Sequence, residues 1–237
     1  MTGTMKLLLI KASPNDSGIG WQIKEELKKF ISEQFPDFQL SIFDQAKEND
    51  SPVYRHNSLK QFVKADNREI TLFERLITEN DGIILFSPVY IRHTPGEFKL
   101  TLDSFAYRLH EFPLVGKKII ILTYAMSTGA DDLAHYFRNT FMAAGAEVIA
   151  AQPIILVPGT LEGQLEIFEE QIKKMIYKIK NNIYTVTKSQ EKLFQYYKGV
   201  VRDEISQGVI TNKQKKWESL LPYKSLCAYL ESINVKE

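Results

Sequence analysis

The chain of 237 residues is long enough for one full hydrophobic core, and its charge is nearly balanced, with 30 Lys and Arg against 29 Asp and Glu. This balance argues against a surface that binds nucleic acid or an anionic membrane. The single cysteine, Cys227, excludes an intramolecular disulfide and a cluster of thiolates, and it fits a reducing compartment. No stretch approaches the roughly 20 apolar residues of a membrane span, so we expect a soluble, cytoplasmic protein.

The first predicted strand and helix are joined by a turn of small and polar residues. The apolar run from Lys6 to Ile10 predicts a strand buried on both faces, and apolar residues at helical spacing begin at Trp21. The turn from Ser13 to Gly20 presents backbone N–H groups at a helix amino terminus, which can bind an anion without a cation. The alternative is that Ser13 and Ser17 only cap the helix.

The next segment predicts an edge strand, a long connection and a helix. Residues 38–44 alternate apolar and polar side chains, as edge strands do. A polar connection follows from Gln45 to about Arg55, and an amphipathic helix is predicted over Leu59 to Ile77. The connection contains Ser51-Pro-Val-Tyr54, which duplicates Ser87-Pro-Val-Tyr90 but does not follow an apolar strand. We therefore treat the repeat as a coincidence.

The central feature of the sequence is an apolar run that ends in a loop with two prolines. Ile83 to Phe86 predicts a buried strand, and Ser87 to Thr94 is predicted as a loop. Pro88 cannot donate to a strand ladder, and Pro95 suits the start of a helix. Within this loop, Tyr90 offers a flat ring suited to stacking on a planar heterocycle.

Helices and strands continue to alternate as far as residue 184. The predicted elements are a helix from Gly96 to about Leu109, a strand over Lys117 to Tyr124, a small polar turn over Ala125 to Ala130, a helix stopped by Gly145, a strand over Glu147 to Val157 and a helix over Leu161 to Tyr184. Five strands with helices between them predict an α/β fold built on a doubly wound parallel sheet.

Residues 185–237 carry no strand signal and are predicted as a C-terminal helical extension. Helical patterns cover Gln190 to Gln207 and, more weakly, Asn212 to Leu230. We therefore divide the chain into a domain at 1–184 and an extension at 185–237. The extension is interpreted as a structural cover for the domain or for a neighbouring subunit, with a substrate lid as the alternative.

Three predicted loops leave the carboxyl ends of the first, third and fourth strands. They are Ser13 to Gly20, Ser87 to Pro95 and Ala125 to Ala130. In a sheet of order 2-1-3-4-5 these loops lie side by side where the winding reverses, which is where such sheets bind their ligands.

The middle of the sequence carries a motif formed by Asp81, Gly82, Ser87, Pro88, Val89, Tyr90, Pro95, Lys99, Leu102 and Asp103. This motif resembles that of the flavodoxin-like NAD(P)H-dependent FMN reductases. The resemblance covers roughly residues 5 to 183 and implies a flavodoxin-like five-stranded sheet of order 2-1-3-4-5. It also implies an oxidoreductase that passes hydride from NAD(P)H through FMN to a quinone, a flavin or a similar acceptor.

The resemblance implies three groups of cofactor-binding residues, no catalytic side chain and no metal site. The groups are Ser13, Pro14, Ser17, Gly18 and Ile19 at the FMN phosphate; Pro88, Val89, Tyr90 and Ile91 along the isoalloxazine; and Met126, Ser127, Thr128 and Gly129 near its other edge. Some positions depart from the family pattern. Asn15 replaces a frequent arginine, Ile91 replaces a common tryptophan, and Met126 and Thr128 stand where glycines are frequent.

Charged residues near the predicted pocket have both a functional and a structural interpretation. Arg92 and His93 stand at the mouth of the predicted pocket, where each is either a contact for a nucleotide or quinone or a solvated loop residue. Lys99 and Asp103 are one helical turn apart and predict a surface ion pair.

Two other functions compete with the reductase: an FMN-holding electron carrier that does not use pyridine nucleotide, and a flavin-free interaction module. Carriers of this fold are usually strongly acidic, so the near-neutral charge favours the reductase. We expect a small-molecule acceptor, a homodimer or higher homo-oligomer, and no nucleic-acid or membrane partner.

Overall fold

The computed structural model describes residues 4–48, 71–209 and 212–234, and a parallel five-stranded sheet forms its centre. The strands stand in the order β2-β1-β3-β4-β5. Their bounds are Lys6–Lys11 for β1, Gln39–Asp44 for β2, Gly82–Pro88 for β3, Lys118–Ala125 for β4 and Glu147–Ile155 for β5. The predicted flavodoxin-like, doubly wound α/β fold is confirmed.

Helices flank this sheet and form the C-terminal region. They are α1 (Ile19–Gln34), α2 (Leu72–Glu79), α3 (Gly96–Phe105), α4 (Ala130–Ala143), α5 (Leu161–Lys180), α6 (Lys188–Ser206), α7 (Asn212–Trp217) and α8 (Leu226–Asn234). Short 3-10 turns follow β2 at Gln45–Lys47 and α3 at Ala106–Glu111. Within the described ranges, no helix combines the length and apolar character needed to cross a membrane.

The inner strands are buried on both faces, which explains why their sequences are continuously apolar. Along β3, Ile83 and Leu85 face one helical layer, whereas Ile84 and Phe86 face the other. The first layer consists of α2, α3 and α4, and the second consists of α1 and α5. Polar residues that act on a ligand are therefore confined to the ends of the strands.

Two boundaries near the sheet differ from the prediction. β3 continues through Ser87 and Pro88, so the loop is shorter than predicted. Pro88 fits here because it is the last residue of the strand, and the next ladder bond comes from the N–H of Val89, 2.9 Å from the carbonyl O of Tyr124. The predicted helix over Leu59 to Ile77 is described only from Leu72 onwards, and the Ser51 to Tyr54 repeat lies outside the described residues.

Helix ends in the C-terminal part also differ from the prediction. α5 ends at Lys180 rather than Tyr184, because Asn182 adopts a φ of 50° and its N–H turns back to the carbonyl O of Ile179. The single weak helix predicted over Asn212 to Leu230 is in fact two helices, α7 and α8. Pro222 lies in the segment between them, where it cannot continue a helix.

The C-terminal extension packs against segments that precede β4 and β5. Trp217 of α7 meets Phe112 with ring centroids 5.7 Å apart, and its Nε1 donates to the carbonyl O of His110 at 2.9 Å. Gln190 Nε2 donates to the carbonyl O of Ala146 at 2.8 Å. These contacts lie at the amino ends of the strands, opposite the three predicted ligand loops, and therefore favour a cover over a substrate lid.

A buried lysine marks the amino end of β4. Lys118 is 2% exposed, and its Nζ lies 3.8 Å from the centroid of the Tyr184 ring in a cation–π contact. Burial is the largest cause that lowers the pKa of Lys118, to about 8, and the nearby carboxylate of Glu147 opposes this shift. The charged form of this lysine is therefore disfavoured in the folded protein.

We predict that Lys118 makes stability rise with pH. Its pKa is about 8 in the folded chain against an ordinary value of 10.5, so the unfolded chain binds more protons between these values. The free energy of unfolding should rise by roughly 1 to 3 kcal/mol more in the parent than in Lys118→Met across this window. Urea unfolding at several pH values measures both curves, and parallel curves would contradict the prediction.

Candidate functional site

The backbone brings the three predicted loops to one edge of the sheet. The N–H of Ala12, which follows β1, lies 3.0 Å from the carbonyl O of Phe86 in β3. The N–H of Val89, which follows β3, lies 2.9 Å from the carbonyl O of Tyr124 in β4. These bonds hold the ends of adjacent strands level. The loops after β1, β3 and β4 are consequently neighbours at the carboxyl edge.

The first loop leads into a helix amino terminus that no side chain caps. Ser13 is buried, and its Oγ accepts from the N–H of Asn15 at 3.2 Å, which folds the loop on itself. Gly18 is the N-cap residue of α1, with a φ of 79° and no side-chain hydrogen bond. The alternative that Ser13 and Ser17 merely cap the helix is therefore wrong. The N–H groups of Ile19 and Gly20 begin α1 without an intrahelical partner, as an anion site requires.

Tyr124 lies beneath this loop and was not predicted as part of the site. It is 5% exposed, and its hydroxyl lies beside the Ser13 side chain. A Cβ on Gly20 would stand 2.7 Å from that hydroxyl, so only glycine fits between the helix and the ring. Burial raises the pKa of Tyr124 far above its usual value, and the proximity of Tyr90 adds to the shift. The alternation of side chains along β4 could have predicted this position, because it puts Tyr124 on the same face of the sheet as Leu122, which is the face covered by α1.

The second loop is a tight hairpin turn under backbone strain. The N–H of Tyr90 lies 2.7 Å from the carbonyl O of His93, and the N–H of His93 lies 3.0 Å from the carbonyl O of Tyr90. The two central residues, Ile91 and Arg92, have φ values of 48° and 60°, a conformation that favours Asn or Gly and is rare for a β-branched residue. Ile91 is fully exposed at the tip.

Tyr90 links the second loop to the first. Its side chain is 43% exposed, and its hydroxyl accepts from Asn15 Nδ2 at 3.1 Å. Asn15 stands where the family often has an arginine, and here its side chain fixes the hydroxyl of Tyr90 by this hydrogen bond. The ring stands at the edge with one end anchored and a large part open to solvent.

The charged residues beside Tyr90 have local partners. Arg92 is exposed and forms an ion pair with Asp132 of α4 at 2.5 Å. His93 packs its ring on Tyr136, with centroids 4.3 Å apart, and burial is the main cause that lowers the pKa of His93. The predicted surface ion pair between Lys99 and Asp103 is present. These partners favour positioning roles over proton transfer.

The third loop closes against the second. Gly129 has a φ of 91°, and a Cβ there would lie 3.0 Å from Val89 Cγ1 and 3.2 Å from the Cα of Arg92. This glycine therefore allows the close approach of the two loops. Met126, Ser127 and Thr128 precede it and are exposed, with Met126 77% accessible. They form a rim of mixed polarity beside Tyr90.

The geometry combines three features that suit a phosphorylated planar ligand. The amino end of α1 offers unpaired amides for an anion, Tyr90 offers an aromatic face, and the third loop offers a rim of flexible side chains. Among the residues that the structure describes, no three His, Cys, Asp or Glu side chains group as a metal site would need. Glycine at positions 20 and 129 permits the close packing of the segments that frame this edge.

Comparison with known families decides the class of the protein. The family described as NADPH-dependent FMN reductase matches residues 5–156. The chain belongs to this family. It is accordingly an FMN-dependent oxidoreductase, and the resemblance drawn from the middle motif is confirmed.

Individual proteins are similar to this chain over much of its length. An iron–sulfur flavoprotein of Clostridioides difficile is 26% identical over 155 residues, which cover 63% of this chain and 67% of that protein. An oxidoreductase from Corynebacterium diphtheriae shares the fold with a TM-score of 0.52 and 19% identity, over 75% of this chain and 99% of its own. An azoreductase from Bacillus anthracis has a TM-score of 0.51 and 16% identity, over 72% of this chain and 98% of its own.

The cysteine content separates this chain from its iron–sulfur relative. A cluster of the common type needs four cysteine thiolates, whereas the sequence contains one cysteine, Cys227. That cysteine is exposed on α8 in the C-terminal extension, and its Sγ lies 3.4 Å from Glu231 Oε1. The chain thus cannot supply four thiolates to a cluster.

We predict that Gly20 and Tyr124 are coupled. Gly20→Ala forces its Cβ to within 2.7 Å of the Tyr124 hydroxyl and should lower the free energy of unfolding by roughly 1 to 3 kcal/mol. Tyr124→Phe removes that oxygen, so the double variant should recover a large part of the loss, as urea unfolding of all four proteins would measure.

Gly199→Ala is the matched control. Gly199 lies inside α6, and a Cβ there meets nothing within 4 Å, so alanine should stabilise by about 0.5 to 1 kcal/mol. A Gly20→Ala protein that gains stability in the same way would refute the close packing of Tyr124 under the first loop.

Proposed function

We propose that this protein binds one FMN at the carboxyl edge of its sheet and takes hydride from NADPH or NADH. The electrons then pass to a quinone, a free flavin or a related small acceptor. The observation that carries the proposal is the uncapped amino end of α1 beside the exposed ring of Tyr90. An anion site and an aromatic face on adjacent, linked loops suit a molecule with one terminal phosphate and a planar ring.

The first loop is proposed to hold the phosphate. Ser13, Pro14, Ser17, Gly18 and Ile19 contribute through hydroxyls and backbone amides, as the family resemblance implies. The loop is already folded, because the N–H of Asn15 donates to Ser13 Oγ. FMN is preferred over FAD in this proposal because the loop accommodates one terminal phosphate and no second nucleotide motif follows it.

The second and third loops are proposed to lie along the isoalloxazine. Pro88 and Val89 are largely buried and would shape the backbone, whereas Tyr90 and Ile91 are the exposed side chains of that loop. Met126, Ser127, Thr128 and Gly129 would face the other edge of the ring. When bound, FMN supplies the hydride-accepting ring, so the chain needs to bind, orient and cover it without an acid–base side chain.

An electron carrier without pyridine-nucleotide activity is the second candidate. The formal net charge of +1 argues against it, since carriers of this fold are usually strongly acidic. A flavin-free interaction module is the third, and only the unusual Asn15, Met126 and Thr128 support it. We further propose a cytoplasmic homo-oligomer in which residues 1–184 bind flavin and residues 185–237 form a structural cover.

An absorption spectrum separates these functions at the first step. We expect the purified protein, or the protein reconstituted with FMN, to show flavin bands in the visible region, and the released cofactor to run as FMN on chromatography. Stopped-flow bleaching of those bands by NADPH or NADH distinguishes the reductase from the carrier. Recovery of FAD, or failure to take up any flavin, would contradict the proposal.

We predict that Tyr90 contributes through its ring more than through its hydroxyl. The hydroxyl makes one exposed hydrogen bond, to Asn15, so Tyr90→Phe should bind FMN within a few-fold of the parent. Tyr90→Ala should lose roughly 1 to 3 kcal/mol of binding free energy, by analogy with bases that stack on aromatic side chains. Fluorescence quenching of FMN measures both dissociation constants.

Tyr196→Ala provides the control for Tyr90→Ala. Tyr196 is 64% exposed on α6, in the C-terminal extension. Its loss should leave the affinity for FMN unchanged. An equal effect of the two alanine variants would mean that the flavin does not lie on the second loop.

A further inference from the structure

A fully buried lysine lies directly under the first loop. Lys11 is the last residue of β1 and is 0% exposed. Its Nζ donates to Asp44 Oδ1 at 2.6 Å and to the carbonyl O of Ser13 at 2.9 Å. From α1, Lys24 Nζ donates to Asp44 Oδ2 at 3.0 Å. One buried carboxylate at the end of β2 therefore joins two lysines that belong to β1 and α1.

The cluster of Lys11, Asp44 and Lys24 joins two basic side chains to one buried carboxylate. Burial alone would raise the pKa of Asp44, but the hydrogen bonds from Lys11 and Lys24 hold it below its ordinary value. Burial likewise opposes the charge on Lys24, yet its hydrogen bond to Asp44 keeps the pKa of Lys24 raised. Lys24 also lies 3.4 Å from Glu25 Oε1, and Glu48 lies near Asp44, but both carboxylates are partly exposed and screened by water.

The first loop itself offers no cation. Residues 12–20 contain no lysine or arginine, and Asp16 adds a negative charge to the loop. A phosphate dianion placed at the amino end of α1 would have only amides and the helix dipole as direct partners. The ammonium group of Lys11 nevertheless lies next to this loop, because its Nζ donates to the carbonyl O of Ser13.

We propose that the Lys11–Asp44–Lys24 cluster positions the first loop and supplies the buried positive charge that offsets the phosphate of the flavin nucleotide. The proposal rests on the FMN-binding function given above and extends it to residues outside the loops. Lys11 acts in two ways: its bond to the Ser13 carbonyl fixes the start of the loop, and its charge attracts the phosphate through the protein interior, where screening is weak. All three residues are positioning residues.

A purely structural role is the alternative, because the cluster also ties β1, β2 and α1 together. The two roles differ in their response to the phosphate group. Riboflavin has the same ring and ribityl chain as FMN but lacks the phosphate. A cluster that serves the phosphate site changes the affinity for FMN alone, whereas a general structural defect that reaches the ring-binding second and third loops changes the affinity for both molecules.

The test compares FMN and riboflavin on the full chain freed of cofactor. In Lys11→Met, we expect the dissociation constant of FMN to rise at least tenfold while that of riboflavin changes less than threefold. Lys118→Met is the matched control, since Lys118 is equally buried but lies at the amino end of the same sheet. Its preference for FMN over riboflavin should equal that of the parent.

Lys24→Met keeps the test decisive if Lys11→Met does not fold. Lys24 bonds Asp44 but makes no hydrogen bond to the first loop, so Lys24→Met removes a charge from the cluster and leaves the loop contacts intact. This variant should lower the preference for FMN over riboflavin at least threefold. Equal losses for both ligands, or an unchanged preference, would overturn the proposal. A parent protein that binds neither FMN nor riboflavin would instead refute the proposed function, so the two failures are distinguishable.

Discussion

The burial of the inner strands on both faces is the constraint on which the site depends. β1, β3 and β4 are covered by helices above and below, so their side chains are almost entirely apolar. Groups that bind a polar ligand can then gather only where the strands end. Parallel strands all end at the same edge, and short backbone bonds between Ala12 and Phe86 and between Val89 and Tyr124 hold those ends level. The three loops are therefore brought together by the parallel arrangement of the strands that precede them.

The edge so formed is assembled from weak but mutually dependent contacts. Asn15 bonds Tyr90, Arg92 pairs with Asp132, and Gly129 permits the approach of the third loop to the second. Each contact joins one loop to a neighbouring loop or to the helix that follows it, so each loop is partly fixed by its neighbour. The positive φ values of Ile91 and Arg92 show that the turn beside Tyr90 is held against the local preference of its residues. Such strain persists where the surroundings determine the backbone, and it keeps Ile91 pointing into solvent.

Local patterns in the sequence predicted the framework well and the interior polar contacts poorly. Continuous apolar runs predicted β1, β3 and β4, small polar turns predicted the first and third loops, and Pro88 and Pro95 predicted the second, because all these signals are local. Lys11 carried no such signal: it ends an apolar strand, and its partner Asp44 belongs to another strand. Tyr124 likewise contacts Ser13 only after the sheet has assembled. The split between α7 and α8 was missed because the packing of Trp217 on Phe112 stabilises a short helix that has little periodicity.

The position of the flavin at the carboxyl edge is the central claim, and amide hydrogen exchange with and without FMN tests it most directly. Saturating FMN should slow exchange in residues 13–20, 88–93 and 126–130, where unpaired amides gain a ligand or their loops are covered. Exchange at the opposite edge, around Lys118, Ala146 and the helices of the extension, should stay the same. Protection confined to that opposite edge, or no protection at the amino end of α1, would contradict the account.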